Sequence, residues 1–263
     1  MPEGKSLNPK NFVQMTFNKA LVAQRPAALA YVTRLRRVHP EKSPAQLTKV
    51  VNGWYLTMVT STGAASGAAA IVPNGWLQIP VAFADLGTFL QASVFYTLVI
   101  AEIHGVHPED IERRRLLVTL VLMGDSTLTS ALKPILGKSV PYWGKAIVSK
   151  IPMSAINAAN KVLGPRFITK YGTRQGVLVL GKQIPLGIGV LIGAGGNHGF
   201  GWLIIRTAKK ILGSAPGTWD HPDIEDAEPE VFDPEAGQSD DAVEFTIDDE
   251  LPEFDDSDAD TKS

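Results

Sequence analysis

One stretch limits what this chain can fold into more than any other: residues 184–212, IPLGIGVLIGAGGNHGFGWLIIRTAKKIL. Seven glycines fall between Gly187 and Gly201, and no charged residue occurs from Gln183 to Ile205. A glycine in a helix interior costs about 1 kcal/mol against alanine, so this density needs a physical reason. Gly189 with Gly193, and Gly195 with Gly199, form G-x-x-x-G pairs that let two helix backbones approach closely. Gly195-Gly196 also reads as a break, with Asn197 as the N-cap of a helix that runs to Leu212 and stops at Gly213. A second small-residue stretch, with Gly63 and Gly67 at the same spacing, lies in residues 57–72. The expectation is that Gly63 and Gly67 on one helix pack against Gly189, Gly193, Gly195 and Gly196 on the other.

Charge divides the chain in two. Residues 217–263 carry nineteen acidic residues and one basic residue, Lys262, whereas residues 1–216 carry twenty-four basic and eight acidic ones. A basic body joined to an acidic tail points to an anion-seeking surface and an interaction tail. The tail is too poor in apolar residues to offset its ordering entropy, so 214–263 is expected to be disordered. The 44% apolar content is enough for a buried core. Without cysteine the chain has no disulfide framework, thiolate metal site or cysteine nucleophile. The N-terminus lacks the apolar segment of a secretory signal.

Periodicity and capping signals predict an all-α fold: a single compact multi-helix domain over 27–213, after a weakly ordered lead-in, 1–26, with room for a short helix at 11–22. Residues 27–39 form a helix that His39-Pro40 ends, because the residue before proline disfavours helical geometry. Ser43-Pro44-Ala45-Gln46 has the form of a capping box. Residues 50–84 are uncharged, but prolines and glycines interrupt them. The charge-free run 86–101 is sixteen residues, shorter than the roughly 20 needed to span a bilayer, and reads as a buried helix. Asp110 starts another helix that Gly124 ends, and Asp125 caps one running to about Leu136. Helical pieces follow at 143–150, 153–163 and 166–171, with Gly164-Pro165 as a break; the β-friendly segment 173–180 is read as helix.

Three groups of residues bring a known family into view. The C-terminal group is Ile184-Pro185-Leu186-Gly187, then Ile192-Gly193-Ala194-Gly195-Gly196-Asn197, then Arg206-Thr207-Ala208-Lys209-Lys210. The second is Tyr31-Val32-Thr33-Arg34-Leu35-Arg36-Arg37 with His39-Pro40, and Thr60-Ser61-Thr62-Gly63. The third is Ala101-Glu102-Ile103-His104-Gly105. Together they resemble the bacterial EcsC protein family, in its actinobacterial-type form, over roughly residues 28–213. The resemblance implies an association, by name, with an ABC-transporter operon and a suggested hydrolase activity. The family has no settled catalytic set, so no catalytic residue carries over.

Chemistry-bearing residues are sparse. Glu102, His104, His107 and Asp110 lie close in sequence, but Gly105 and Pro108 break any common helical face, so no metal site is expected. Glu102, His104 and Asn197 are the candidate catalytic residues if the chain is a hydrolase; Ser126 and Ser130 lack a G-x-S-x-G elbow. The glycine run matches neither G-x-G-x-x-G nor the P-loop, which excludes nucleotide binding, and no cofactor is expected. No motif interleaves aromatics with basic residues as nucleic-acid modules do. The leading expectation is a protein peripheral to the cytoplasmic face of a membrane. Arg34, Arg36, Arg37, Arg113, Arg114, Arg115, Lys170, Arg174, Arg206, Lys209 and Lys210 would contact anionic lipid or a membrane complex, and the acidic tail would regulate that contact. Trp54, Trp76, Trp143 and Trp202 are the candidate interfacial aromatics. An integral membrane hairpin formed by 57–84 and 183–205 is the alternative.

Overall fold

A computed structural model of the chain describes residues 8–69, 75–124, 143–181 and 188–219. These hold seven helices and no strand. In chain order they are α1 (Pro9–Val38), α2 (Pro44–Ala69), α3 (Gly75–Ile103), α4 (Ile111–Met123), α5 (Trp143–Ser149), α6 (Met153–Gly181) and α7 (Ile188–Leu212). The predicted helix after Asp125, residues 1–7, and the acidic stretch 220–263 lie outside the described residues, as do the connections 70–74 and 182–187 of the hairpin alternative.

Local chemistry sets most helix ends. The Asn8 side chain accepts from the Lys10 backbone N–H at 3.0 Å, ahead of Pro9 in the first turn of α1. The capping box of α2 forms as expected: the Ser43 N–H donates to Gln46 Oε1 at 2.8 Å, and the Gln46 N–H to Ser43 Oγ at 3.3 Å. Asp110 Oδ1 caps α4 by accepting from the Glu112 and Arg113 N–H groups. Gly124 and Gly213 end α4 and α7 at φ 64° and 86°, left-handed values that favour glycine.

Three predicted breaks are absent. Helix α1 runs through Pro26, so residues from Pro9 onward belong to the helical body and not to a lead-in. Helix α6 likewise runs through Gly164-Pro165, and α7 through Gly195-Gly196. An interior proline costs about 3 kcal/mol. The buried stripe of α1 continues across the proline, with Val13, Phe17 and Leu21 before it and Ala28, Val32 and Leu35 after. Each fully buried Leu, Val or Phe contributes about 1.5–3 kcal/mol, so packing outweighs the broken turn. Ile156, Ala159, Leu163, Phe167 and Tyr171 do the same for α6.

The core forms around α3, which touches α1, α2, α4, α6 and α7. Phe83–Ile103 is long and apolar enough to cross a bilayer, and 78% of its most apolar window is buried inside the bundle. Several of its polar groups are used internally. The Tyr55 ring of α2 stacks on Tyr96 at 4.2 Å, the Tyr55 hydroxyl meets Ser93 Oγ at 2.7 Å, and the Tyr96 hydroxyl donates to Asn52 Oδ1 at 2.7 Å. Burial, with the neighbouring Tyr55, raises the Tyr96 hydroxyl well above the usual tyrosine range. The most extensive helix pairing joins α2 to α7. It is antiparallel: Thr60 lies beside His198, while Leu56 and Val59 lie beside Gly201.

Candidate functional site

The three catalytic candidates do not converge. Asn197 is 1% exposed, and its Nδ2 donates to Asp85 Oδ1 at 3.1 Å. It is a mid-helix residue linking α7 to α3, and not an N-cap. Its partner Asp85 sits on α3 nineteen residues before His104, which directly follows the last residue of that helix, a separation of about 28 Å along the axis. A pocket shared by His104 and Asn197 is therefore excluded. His104 is buried, with Nδ1 2.7 Å from the Ile100 carbonyl and the Gly213 carbonyl as a second partner. It ties the end of α3 to the stop of α7. Burial, aided by the Lys145 charge, pushes its pKa down despite the two carbonyls.

Glu102 belongs to a separate ionic cluster. Its Oε2 lies 2.9 Å from His107 Nδ1 and 3.9 Å from Arg25, while Arg25 also meets Glu109 at 2.7 Å. The hydrogen bond to Glu102 raises the His107 pKa against partial burial. Among the described residues no group of His, Asp and Glu is arranged to hold a metal ion.

The predicted cationic set splits into structural and exposed members. Arg114 is buried and donates to the Pro108, Leu21 and Glu109 carbonyls. Through Leu21 it ties the start of α4 to the middle of α1. Arg113 donates to the Ile147 and Ile151 carbonyls at the end of α5, and Lys170 to the Met123 carbonyl at the end of α4. These three are fastenings, not lipid contacts. A sequence cannot separate a cation that caps a neighbouring helix from one that faces water. The side chain of Arg174 lies outside the described residues.

Arg34, Arg37, Arg206, Lys209 and Lys210 are exposed. The antiparallel α2–α7 pairing gathers them at one end of the bundle, where α1 and α7 finish and α2 begins. Trp219 marks the same end: its Nε1 donates to the Lys42 carbonyl at 3.2 Å, and Arg36 lies 4.2 Å over its ring. The described part of the chain thus leaves the bundle from its cationic end, and residues 214–219 are docked there. On the outer face of α7, Trp202 is 51% exposed with Arg206 5.4 Å from its ring. Trp54 instead packs with Tyr31 and Phe95 against the core, and the side chains of Trp76 and Trp143 lie outside the described ones.

The expected glycine contact is displaced. A Cβ at Gly195, Gly196 or Gly199 would meet nothing within 4 Å, so Gly195 and Gly196 are not packing residues. Gly201 makes the close approach: a Cβ there would lie 2.8 Å from Val59 Cγ2 and 3.1 Å from Leu56 Cδ1. Gly63 is buried on α2, and the side-chain environments of Gly67, Gly189 and Gly193 lie outside the described residues.

A cleft of about 940 Å³ between α1, α4 and α6 had no counterpart in the sequence reading. Phe17, Phe167 and Ile168 give it apolar walls, and Lys10 of α1 and Lys161 of α6 bring positive charge. Glu112 closes one end, with Oε1 2.6 Å from Arg115 Nη1 and Oε2 2.8 Å from Asn160 Nδ2. No protein-family model, curated protein or solved structure matches this chain.

Proposed function

We propose that this protein binds the cytoplasmic face of an anionic membrane peripherally, through the cationic end of the bundle and the outer face of α7. One observation carries the reading. Trp202, Arg206, Lys209 and Lys210 recur at helical spacing on an exposed face of a helix that contains no acidic residue. A tryptophan one turn from an arginine suits the headgroup layer, where an amphipathic ring has both an apolar and a wet side. Each lysine or arginine close to an anionic surface contributes about 1 kcal/mol, so Arg34, Arg37 and the α7 cations together supply several kcal/mol at low salt. The acidic stretch beyond Trp219 competes for the same cations, because the chain leaves the bundle beside Arg36 and Lys42. Kinship with the EcsC family forms part of the proposal and rests on the motif stretches alone.

Flotation with phosphatidylglycerol-containing and purely zwitterionic vesicles tests the reading. The full-length protein is expected to float with the anionic vesicles and to be released by salt. Trp202→Ala combined with Lys209→Ala and Lys210→Ala should abolish flotation. Removal of residues 220–263 should strengthen it. Equal partition onto both vesicle types would refute the electrostatic reading, and unchanged binding after truncation would remove the competing role of the acidic stretch. A membrane pool released only by detergent would favour the inserted alternative.

A further inference from the structure

Among the described residues six large apolar side chains are exposed, and four of them lie on α1: Met15, Val22, Leu29 and Val38. Exposed apolar residues scattered singly need no explanation, but three of these form a row. Met15, Val22 and Leu29 are seven residues apart, and a helix drifts only about 20° in that interval, so all three share one face. They are 54%, 64% and 43% exposed. Pro26 lies between them and Ala23 and Ala30 beside them, all three exposed. Pro26 has no N–H to offer the Val22 carbonyl, which leaves an acceptor on the same face without its helical donor. Lys19 lies beside the row and Arg37 beyond its end, both exposed, and α1 contains no acidic residue. An apolar face edged by cations suits a partner that is both apolar and acidic.

We propose that residues 243–254 of this same chain dock on the α1 row. That stretch reads VEFTIDDELPEF, with five large apolar residues, five acidic ones and no basic one. It holds five of the eight large apolar side chains beyond Trp219, which sets it apart from the rest of the acidic stretch. Extended, twelve residues span up to about 40 Å, and Met15 to Arg37 covers about 33 Å of helix, so carboxylates reach both Lys19 and Arg37. The tether fits too. Trp219 is held beside Arg36, and Leu29 and Met15 lie seven and twenty-one residues back along α1, about 10 and 30 Å away. A random chain of 23 residues, the length of 220–242, has a reach of about 25–30 Å. A reach matched to the span puts the local concentration in the millimolar range. A second copy of α1 is a poorer occupant, because both faces carry only positive charge. An anionic bilayer matches the charge, but only the acidic segment is delivered by a tether. Docking in this way is independent of the α7 face and needs no membrane.

The chain has no cysteine, so Ser257→Cys offers one site for a nitroxide label, just beyond Phe254. In the full-length protein, the NMR amide signals of α1 from Met15 to Leu29 should lose intensity relative to the same sample with the label reduced. Val22→Gln combined with Leu29→Gln should restore them. So should Leu251→Ser combined with Phe254→Ser, a change outside the helical body. Val22 and Leu29 face water, so circular dichroism should show the α1 variant folded like the parent. Signal loss confined to residues 34–42 and 206–210 would put the segment on the cationic end instead and overturn the proposal. Loss spread evenly over the exposed surface, no loss at all, or loss undiminished in either double variant would overturn it as well. The same holds for loss seen only between copies, in a mixture of spin-labelled and isotope-labelled protein. An α1 row that responds to phosphatidylglycerol vesicles and not to the label would assign the row to lipid and remove the proposal. The label measurement contains no membrane, so its outcome is separate from that of flotation.

Discussion

Replacing single glycines of α7 by alanine separates two reasons for having glycine there. At Gly199 the added methyl would meet nothing within 4 Å, so only helix propensity acts and Gly199→Ala should stabilise by roughly 0.5–1 kcal/mol. At Gly201 the same gain is opposed by contacts of 2.8 Å with Val59 Cγ2 and 3.1 Å with Leu56 Cδ1. Val59 is β-branched and buried, so it cannot rotate away cheaply. Overpacking of this kind costs about 1–3 kcal/mol, which leaves Gly201→Ala destabilised by up to about 2 kcal/mol. Gly201→Leu has no room at all in the α2–α7 seam and should cost more than Gly201→Ala. Urea unfolding followed by helical circular dichroism measures the series, with a midpoint shift of about 2–4 °C per kcal/mol in the parallel thermal scan. If Gly199→Ala destabilises as much as Gly201→Ala, the seam is misplaced and the argument fails.

Other substitutions probe the buried polar links. Asn197→Ala strands the buried Asp85 carboxylate and should cost about 1.5–3 kcal/mol in the same unfolding assay; a neutral outcome would mean that the pair does not form. Arg114→Ala releases three carbonyls and should cost about 3 kcal/mol or more, whereas Arg37→Ala should stay within about 0.5 kcal/mol while weakening vesicle binding. The two neighbouring histidines should titrate on opposite sides of 6.5, His104 below and His107 above, as read by NMR of their ring carbons. Their linkage to stability is opposite too. The His104 contribution is full above pH 6.5 and is lost as pH falls through its depressed folded value. The His107 contribution is full below 6.5 and is lost as pH rises through its raised folded value. Glu102→Gln should move the His107 midpoint down and leave His104 in place, and a reversed order of the two midpoints would refute both assignments.

Helix ends were legible wherever the signal is local. The Ser43–Gln46 capping box, the Asp110 cap and the glycine stops at 124 and 213 depend only on residues within one turn, and each forms as the residues indicate. The helix interiors misled at Pro26, Pro165 and Gly195-Gly196, because propensity there is overruled by burial against helices distant in sequence. Asp85 did leave a trace: it is the one charged residue from Val50 to Ala101, which points to a buried partner without naming Asn197.

By itself the sequence determined the helical class, the capped helix ends at Ser43, Asp110, Gly124 and Gly213, and the division into a basic body and an acidic end, since period, caps and charge are properties of neighbouring residues. Tertiary structure alone decided which cations are exposed and which fasten helices, that Gly201 and not Gly195 forms the tight seam, and that Lys10, Arg115, Asn160 and Lys161 share a cleft. The physical reason is common to all three. A carbonyl to cap, a methyl to avoid or a wall to complete lies on another helix, and only packing sets the distance to it.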